Sequence, residues 1–184
     1  METVKVILRD GSECTLLKWQ KIYGLEEGSN KIGKYFSTKD SKIAENIKQY
    51  GQVVVNELLI RLLDGIREKR GKATILSSFN RSEAKQKQLQ DNPNFAAATF
   101  SPHVVFMAAD TTCSNKKEVE ELAEITLSVA KELGIKVRVG WKEYLALKKP
   151  MFFVHCDVCP EFYAKGKPFN DKKHPWQWEN EVTW

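Results

Sequence analysis

The fold of this chain is decided by the stretch from Val104 to Gly140, which has the sequence VVFMAADTTCSNKKEVEELAEITLSVAKELGIKVRVG. Its opening residues, 104–112, are apolar and β-prone and predict a strand. Asn115 then supplies an N-cap for a predicted helix over residues 116–133, whose apolar side chains recur at helical spacing. Residues 135–140 predict another strand, so the stretch joins a strand, a helix and a strand.

The flanking sequence extends this mixture of strands and helices. Residues 3–8 and 14–19, joined by a turn at Asp10-Gly11, predict an N-terminal β-hairpin. Apolar residues at helical spacing from Ile43 to Ile66 predict one long, largely buried helix. Further strands are predicted at residues 73–79 and 151–158, and a helix at residues 82–90. Because strands and helices do not alternate in regular βαβ units, the chain is predicted to be α+β, with a mainly antiparallel sheet flanked by helices.

Length and composition fit a compact protein. The 184 residues suit one domain over residues 35–184, preceded by a hairpin and loop appendage over residues 1–34. Hydrophobic residues make up 42% and charged residues 29%, which excludes wholesale disorder. No run approaches the ~18 apolar residues of a membrane span, and the N-terminus lacks the pattern of a secretion signal. We therefore expect a chain that is made in the cytoplasm and has no membrane span.

The net charge limits the kinds of partner that we expect, and the cysteine content indicates the redox state of the thiols. The net charge of +5 favours anionic surfaces such as nucleic acid or cell wall. No basic run with interleaved aromatics is present, so we expect no nucleic-acid partner. The 4 cysteines are too sparse for a disulfide framework and are predicted to be reduced. Tryptophans crowd the C-terminus and are expected to pack on the body of the protein: Trp176, Trp178 and Trp184.

Two of the 3 histidines lie near acidic residues. His103 follows Ser101-Pro102, and Asp110 comes seven residues later. On a helix these side chains would be ~10.5 Å apart along the axis, too far to share one ion through bonds of ~2.0 to 2.2 Å. On a flat strand they would lie on opposite faces. A shared metal therefore requires a bend, with His103 in an entry loop and Asp110 on the strand.

The second group lies within Phe153-Val154-His155-Cys156-Asp157. Alternation along a strand places His155 and Asp157 on one face and Cys156 on the other. His155 and Asp157 can therefore face one cleft, while Cys156 points into the core. Taken singly, such a histidine is more often a packed, hydrogen-bonded side chain than a ligand. The order and spacing of both groups together favour a metal site.

The pattern Ser-x-His-x6-Asp, followed ~45 residues later by Phe-Val-His-x-Asp, resembles the zinc D-alanyl-D-alanine peptidase family. That family includes bacterial carboxypeptidases, vancomycin-resistance dipeptidases and phage endolysins, and it shares its fold with the hedgehog signalling domain. The resemblance runs from about Tyr35 to Val158 and implies that His103, Asp110 and His155 bind one zinc ion per chain.

A third segment adds to the resemblance. Residues 75–82 look like the family's Ser-Gly-Tyr-Arg-Ser stretch, which implies that Arg81 binds the substrate or its oxyanion. The chain departs from the family pattern at Phe106, where the family has a glycine, and at Phe152, where many members have the glutamate that acts as base. Asp157 is the first candidate for that base and Glu143 the second, although an aspartate beside a ligand can also serve only to orient it.

The resemblance implies a zinc metallopeptidase that hydrolyses amide bonds next to D-amino acids in peptidoglycan stem peptides, as a carboxypeptidase or an endopeptidase. Three protein ligands and an open fourth position are the arrangement that catalytic zinc uses. Such a protein would act on the cell wall after release or export by another route. Two alternatives remain: an inactive binding module stabilised by zinc, and a protein without metal in which these residues are structural.

Overall fold

The structure is a computed structural model that describes residues 3–7, 13–17, 20–24, 30–92, 101–161 and 182–183. Its strands are β1 (Thr3–Ile7), β2 (Glu13–Leu17), β3 (Gln20–Gly24), β4 (Gln52–Asn56), β5 (Leu76–Ser78), β6 (Ala108–Thr112), β7 (Val137–Gly140), β8 (Phe153–Asp157) and β9 (Val182–Thr183). Its α-helices are α1 (Ser41–Tyr50), α2 (Glu57–Arg70), α3 (Glu83–Gln90), α4 (Lys116–Leu133) and α5 (Lys142–Leu145). A 3-10 turn at Cys159–Glu161 follows β8.

The main sheet has the strand order β5-β6-β8-β7-β9, and β1-β2 and β3-β4 form two separate pairs. Every strand pair among the described residues is antiparallel. Helix α4 packs on β7 and β8, and α2 packs on α4. This arrangement confirms the predicted α+β class with an antiparallel sheet flanked by helices.

The two long helices approach each other closely at Gly65. A Cβ atom at this position would lie 2.6 Å from Val129 Cγ1 on α4. Any larger side chain would therefore push the helices apart. Buried aliphatic residues on both sides of this contact, among them Leu62 and Leu122, form the core beneath the sheet.

The prediction of one long helix over residues 43–66 is wrong. Helix α1 ends at Gly51, whose φ of 75° lies in the left-handed region. A β-branched run over residues 53–55 then forms the buried middle of β4. The Asn56 side chain caps the next helix by accepting hydrogen bonds from the backbone N–H groups of Leu58 at 3.0 Å and Leu59 at 3.3 Å. This region therefore forms a helix, a strand and a second helix.

Helix α4 spans Lys116–Leu133 as predicted. The Asn115 side chain accepts a hydrogen bond from the Glu118 N–H at 3.0 Å, and Gly134 ends the helix in the left-handed conformation. The predicted strand over residues 104–112 is shorter than expected, because residues 102–106 form a turn and β6 begins at Ala108.

The predicted N-terminal hairpin is confirmed by the pairing of β1 with β2. The sequence did not predict β3, which pairs with β4, so residues 20–24 contact the strand between α1 and α2. The division of the chain at residue 34 stays a prediction. The turn at Asp10-Gly11 and the C-terminal tryptophans lie outside the described residues. Within the described residues, no helix is long and apolar enough to cross a membrane.

Candidate metal centre

His103, Asp110 and His155 meet at the centre of the main sheet. His103 Nε2 lies 3.3 Å from Asp110 Oδ1, and His155 Nδ1 lies 2.8 Å from the same oxygen. One potential ligand atom from each residue lies within 4.8 Å of the other two. Tetrahedral zinc bonds of ~2.0 to 2.2 Å place neighbouring ligand atoms roughly 3.4 Å apart. The spacing and the chemistry of these donors therefore fit a zinc ion.

The pairing of β6 with β8 brings two of these ligands together. Asp110 lies directly opposite His155 in the antiparallel register. Directly opposed residues project their side chains from the same face of a sheet. The register between two strands 45 residues apart in sequence therefore sets the distance between carboxylate and imidazole.

His103 reaches this face from the turn that precedes β6. The Met107 N–H donates to the Pro102 carbonyl at 3.0 Å and closes the turn. Phe106, within the turn, has a φ of 63°. This is the left-handed conformation that glycine adopts at no steric cost. The tight turn is thus present with Phe106 in the left-handed position, and it supplies the bend that a shared metal requires.

The outer nitrogen of each imidazole is also bonded. His103 Nδ1 lies 2.5 Å from the Phe79 carbonyl oxygen, which places the proton on Nδ1 and leaves Nε2 facing Asp110. His155 Nε2 lies 3.3 Å from Asp157 Oδ2, which leaves Nδ1 facing Asp110. Such outer contacts fix the tautomer and the orientation of a metal-binding histidine.

Asp157 is held by a buried ion pair. Its carboxylate accepts hydrogen bonds from Arg138 Nε and Nη2 at 2.9 to 3.1 Å, and from the Cys159 N–H at 3.0 Å. The side chain is 0% exposed. Burial alone would raise the pKa of Asp157, but Arg138 and His155 lower it below its ordinary value. Of the two roles considered for Asp157, this geometry favours orienting His155 over accepting a proton from a water molecule.

The charges within the group are coupled. Burial opposes ionisation of Asp110, yet the two histidines lower its pKa well below the ordinary range, so the carboxylate is ionised. Burial alone would lower the pKa of His155, but hydrogen bonds to Asp110 and Asp157 raise it to about 9. Burial lowers the pKa of His103. The group therefore places one anionic oxygen between two imidazoles. With no cation bound, His155 carries a proton at neutral pH, and a divalent cation that used its Nδ1 would have to displace that proton.

The three residues open onto a cavity of about 830 Å³ that Arg81 also lines. The Arg81 guanidinium donates to Gln86 Oε1 at 2.7 Å and to Ser78 Oγ at 3.3 Å. Its backbone N–H donates to the His103 carbonyl at 3.2 Å, which ties it to the turn. Burial lowers the pKa of Arg81, although the Asp110 charge opposes this change. A cation therefore faces the same cavity as the three candidate ligands.

The remaining residues singled out in the sequence are also located. Glu143, on α5, lines the cavity, and burial raises its pKa above the ordinary value. Phe152 also lines the cavity and is 39% exposed. Cys156 is buried on the opposite face of β8, as predicted, with a free thiol.

Sequence reasoning missed Arg138 and Gly140. Both lie on β7, where Arg138 is paired with Asp157 and Gly140 with His155. A signal was present, because Arg138 stands between Val137 and Val139 in a β-prone run and so has to face away from their side of the sheet. Local sequence does not indicate which strand β7 pairs with, because that pairing is a tertiary contact.

Comparisons with known proteins give a limited result. No protein-family model matches the chain, and no curated protein matches it. The chain is similar to the crystal structure of the L-Ala D-Glu endopeptidase ChiX from Serratia marcescens, with a TM-score of 0.47 and 18% sequence identity. The match covers 65% of this chain and 87% of that chain. A likeness at this level carries no argument about activity, which has to come from the residues of this chain.

Proposed function

We propose that this protein is a zinc-dependent metallopeptidase that hydrolyses amide bonds next to D-amino acids in peptidoglycan stem peptides. The observation that carries the proposal is the meeting of His103, Asp110 and His155, whose ligand atoms lie within 4.8 Å of one another beside a cavity of about 830 Å³. The substrate class comes from the motif resemblance, because the spacing of the ligands alone supports only hydrolysis at a single metal.

In this proposal His103 Nε2, Asp110 Oδ1 and His155 Nδ1 hold one zinc ion. The bound ion supplies Lewis acidity that activates a water molecule and polarises a scissile carbonyl. Three ligands leave one coordination position for that chemistry. The carbonyl of Phe79 and the carboxylate of Asp157 keep the two imidazoles in the orientation that binding requires.

Arg81 is proposed to bind the negative charge that develops on the carbonyl oxygen, or a carboxylate of the peptide. Its guanidinium is half-buried beside the candidate ligands and is held by Gln86 and Ser78 before any substrate arrives. A preorganised cation in a partly desolvated site stabilises such charge more strongly than it would in water.

The proposal is tested by incubating zinc-loaded protein with purified peptidoglycan and with synthetic stem peptides, and by identifying the products by mass spectrometry. We expect cleavage that a chelator abolishes and added zinc restores. Free D-alanine as the product would indicate a carboxypeptidase, and internal fragments would indicate an endopeptidase.

The matched variants are Asp110→Asn and Asp91→Asn. The first removes the shared anionic ligand and is expected to abolish both zinc binding and cleavage, while Asp91 lies exposed at the end of α3 and its replacement should change neither. Stoichiometric zinc without cleavage of any stem peptide would favour the alternative of a zinc-stabilised binding module. No zinc after loading would favour a structural role for the three residues.

A further inference from the structure

The centre of the main sheet carries a row of three residues on adjacent strands. Asp110 on β6 is paired with His155 on β8, and His155 is paired with Gly140 on β7. Paired residues project from the same face of a sheet, so all three positions face the cavity. Because glycine has no side chain, the row ends in a space beside His155.

The carboxylate of Glu143 occupies that space. A Cβ atom built on Gly140 would lie 2.9 Å from Glu143 Oε1 and 3.6 Å from His155 Cβ. The same point lies 3.7 Å from the ring of Tyr144. Glu143 therefore reaches from α5 to the point on β7 that faces the Cβ atom of His155. A side chain at residue 140 would exclude the carboxylate from this place.

The other carboxylates that line the cavity are already engaged. Among the described residues these are Glu45, Asp110 and Asp157. Asp110 is a candidate ligand, and Asp157 is buried behind His155 in its ion pair with Arg138. Glu45 lies on α1 and forms an ion pair with Lys42. Glu143 is half-buried and lines the cavity, and it forms no ion pair with another residue in the part of the chain that the structure describes.

We propose that Glu143 is the general base of the hydrolysis, a role that rests on the proposed function. Glu143 accepts a proton from the attacking water as the water oxygen bonds to the carbonyl carbon. It then donates that proton to the amine nitrogen as the C–N bond breaks, so the carboxylate is regenerated in each turnover. Phe152 cannot perform this task, and Glu143 supplies the carboxylate from a different element.

The test compares Glu143→Gln with wild type. The amide keeps the shape of the side chain but cannot accept the proton, so kcat for a stem peptide is expected to fall by about 100-fold or more. Zinc content and the affinity for the uncleaved peptide, measured by calorimetry, are expected to stay within about threefold of wild type. The matched control is Glu45→Gln, which changes a carboxylate on another wall of the same cavity and should retain kcat.

A second variant, Gly140→Ala, keeps the carboxylate of Glu143 but fills the space above residue 140 that this carboxylate occupies. The added methyl group displaces the Glu143 carboxylate, which is the end of a flexible side chain, so the fold and zinc affinity should be retained while kcat falls.

Wild-type kcat in Glu143→Gln would overturn the inference and leave the proposed function standing. Loss of zinc from Glu143→Gln would also overturn it, because Glu143 would then serve metal binding. A wild-type enzyme that cleaves no stem peptide would overturn both.

Discussion

At the scale of single residues, Phe106 is unusual because it has a left-handed backbone at the turn that presents His103. It is the non-glycine residue with positive φ among those the structure describes. Because this conformation costs a side-chain-bearing residue about 1 kcal/mol or more, Phe106→Gly is expected to be more stable than Phe106→Ala by about 1 kcal/mol. Both variants lose the ring, so the comparison isolates the backbone, and denaturant unfolding measures it. Alanine equal to or better than glycine would contradict the strained turn.

The Arg138–Asp157–His155 contacts lead to a second prediction at this scale. Asp157→Asn weakens the acceptor that orients His155, so zinc affinity is expected to fall about 10- to 100-fold in a chelator competition assay. Stability should fall as well, because the buried Arg138 loses its counter-charge. Asp91→Asn serves as the control for the loss of one carboxylate. Unchanged zinc affinity in folded Asp157→Asn would show that Asp157 does not orient the ligand.

At the scale of elements, the start of α4 is stabilised by Glu118. Its carboxylate accepts hydrogen bonds from Lys72 Nζ and the Ser114 N–H, each at 2.6 Å, and pairs with Arg70. The hydrogen bond from Lys72, followed by that from Ser114, lowers the pKa of Glu118 from 4.5 to about 2. The ionised carboxylate therefore contributes stability that is present above pH 4.5 and is lost as the pH falls toward 2.

Glu118→Gln is accordingly expected to be less stable than wild type at neutral pH, with a difference that shrinks between pH 4.5 and pH 2. Unfolding free energies measured across this range check the prediction. Glu121→Gln is the control, because Glu121 forms an exposed pair with Lys117 at 3.7 Å and such pairs contribute little. A difference that does not depend on pH would contradict the assigned role of Glu118.

Two regions show which parts of the secondary structure could be predicted from local sequence. Helix α4 was predictable because its cap, its apolar stripe and its final glycine agree with one another. The structure of residues 43–66 was not predictable in this way, because the spacing of apolar residues alone does not show where a helix is interrupted. The break depends on Gly51 and on the β-branched run after it, which pairs with β3. A strand whose partner lies ~30 residues away is specified by tertiary contacts more than by its own periodicity.

At the scale of the whole molecule, the candidate site combines residues from four separate segments. The identities of His103, Asp110 and His155 could be predicted because their types and order follow a motif. The sequence could not give the contributions of Arg138 and Gly140, because these depend on β7 pairing with β8 in one register. A shift of one residue in that register would turn both positions to the opposite face of the sheet.

The sequence favours Asp157 over Glu143 as a base because Asp157 belongs to the His-x-Asp pattern that some members of the resembled family have at the second motif. Asp157 is two residues from His155 on β8, whereas Glu143 lies on α5, which follows β7 in the chain. The fold buries Asp157 against Arg138 and leaves Glu143 in the cavity.

The central claim is that one zinc ion is bound by two imidazoles and one carboxylate. Anomalous diffraction at the zinc edge from crystals of the zinc-loaded protein tests it most directly. We expect a single strong peak ~2.0 to 2.2 Å from His103 Nε2, Asp110 Oδ1 and His155 Nδ1. A peak at another place on the protein, or none at this site after loading with zinc, would contradict it.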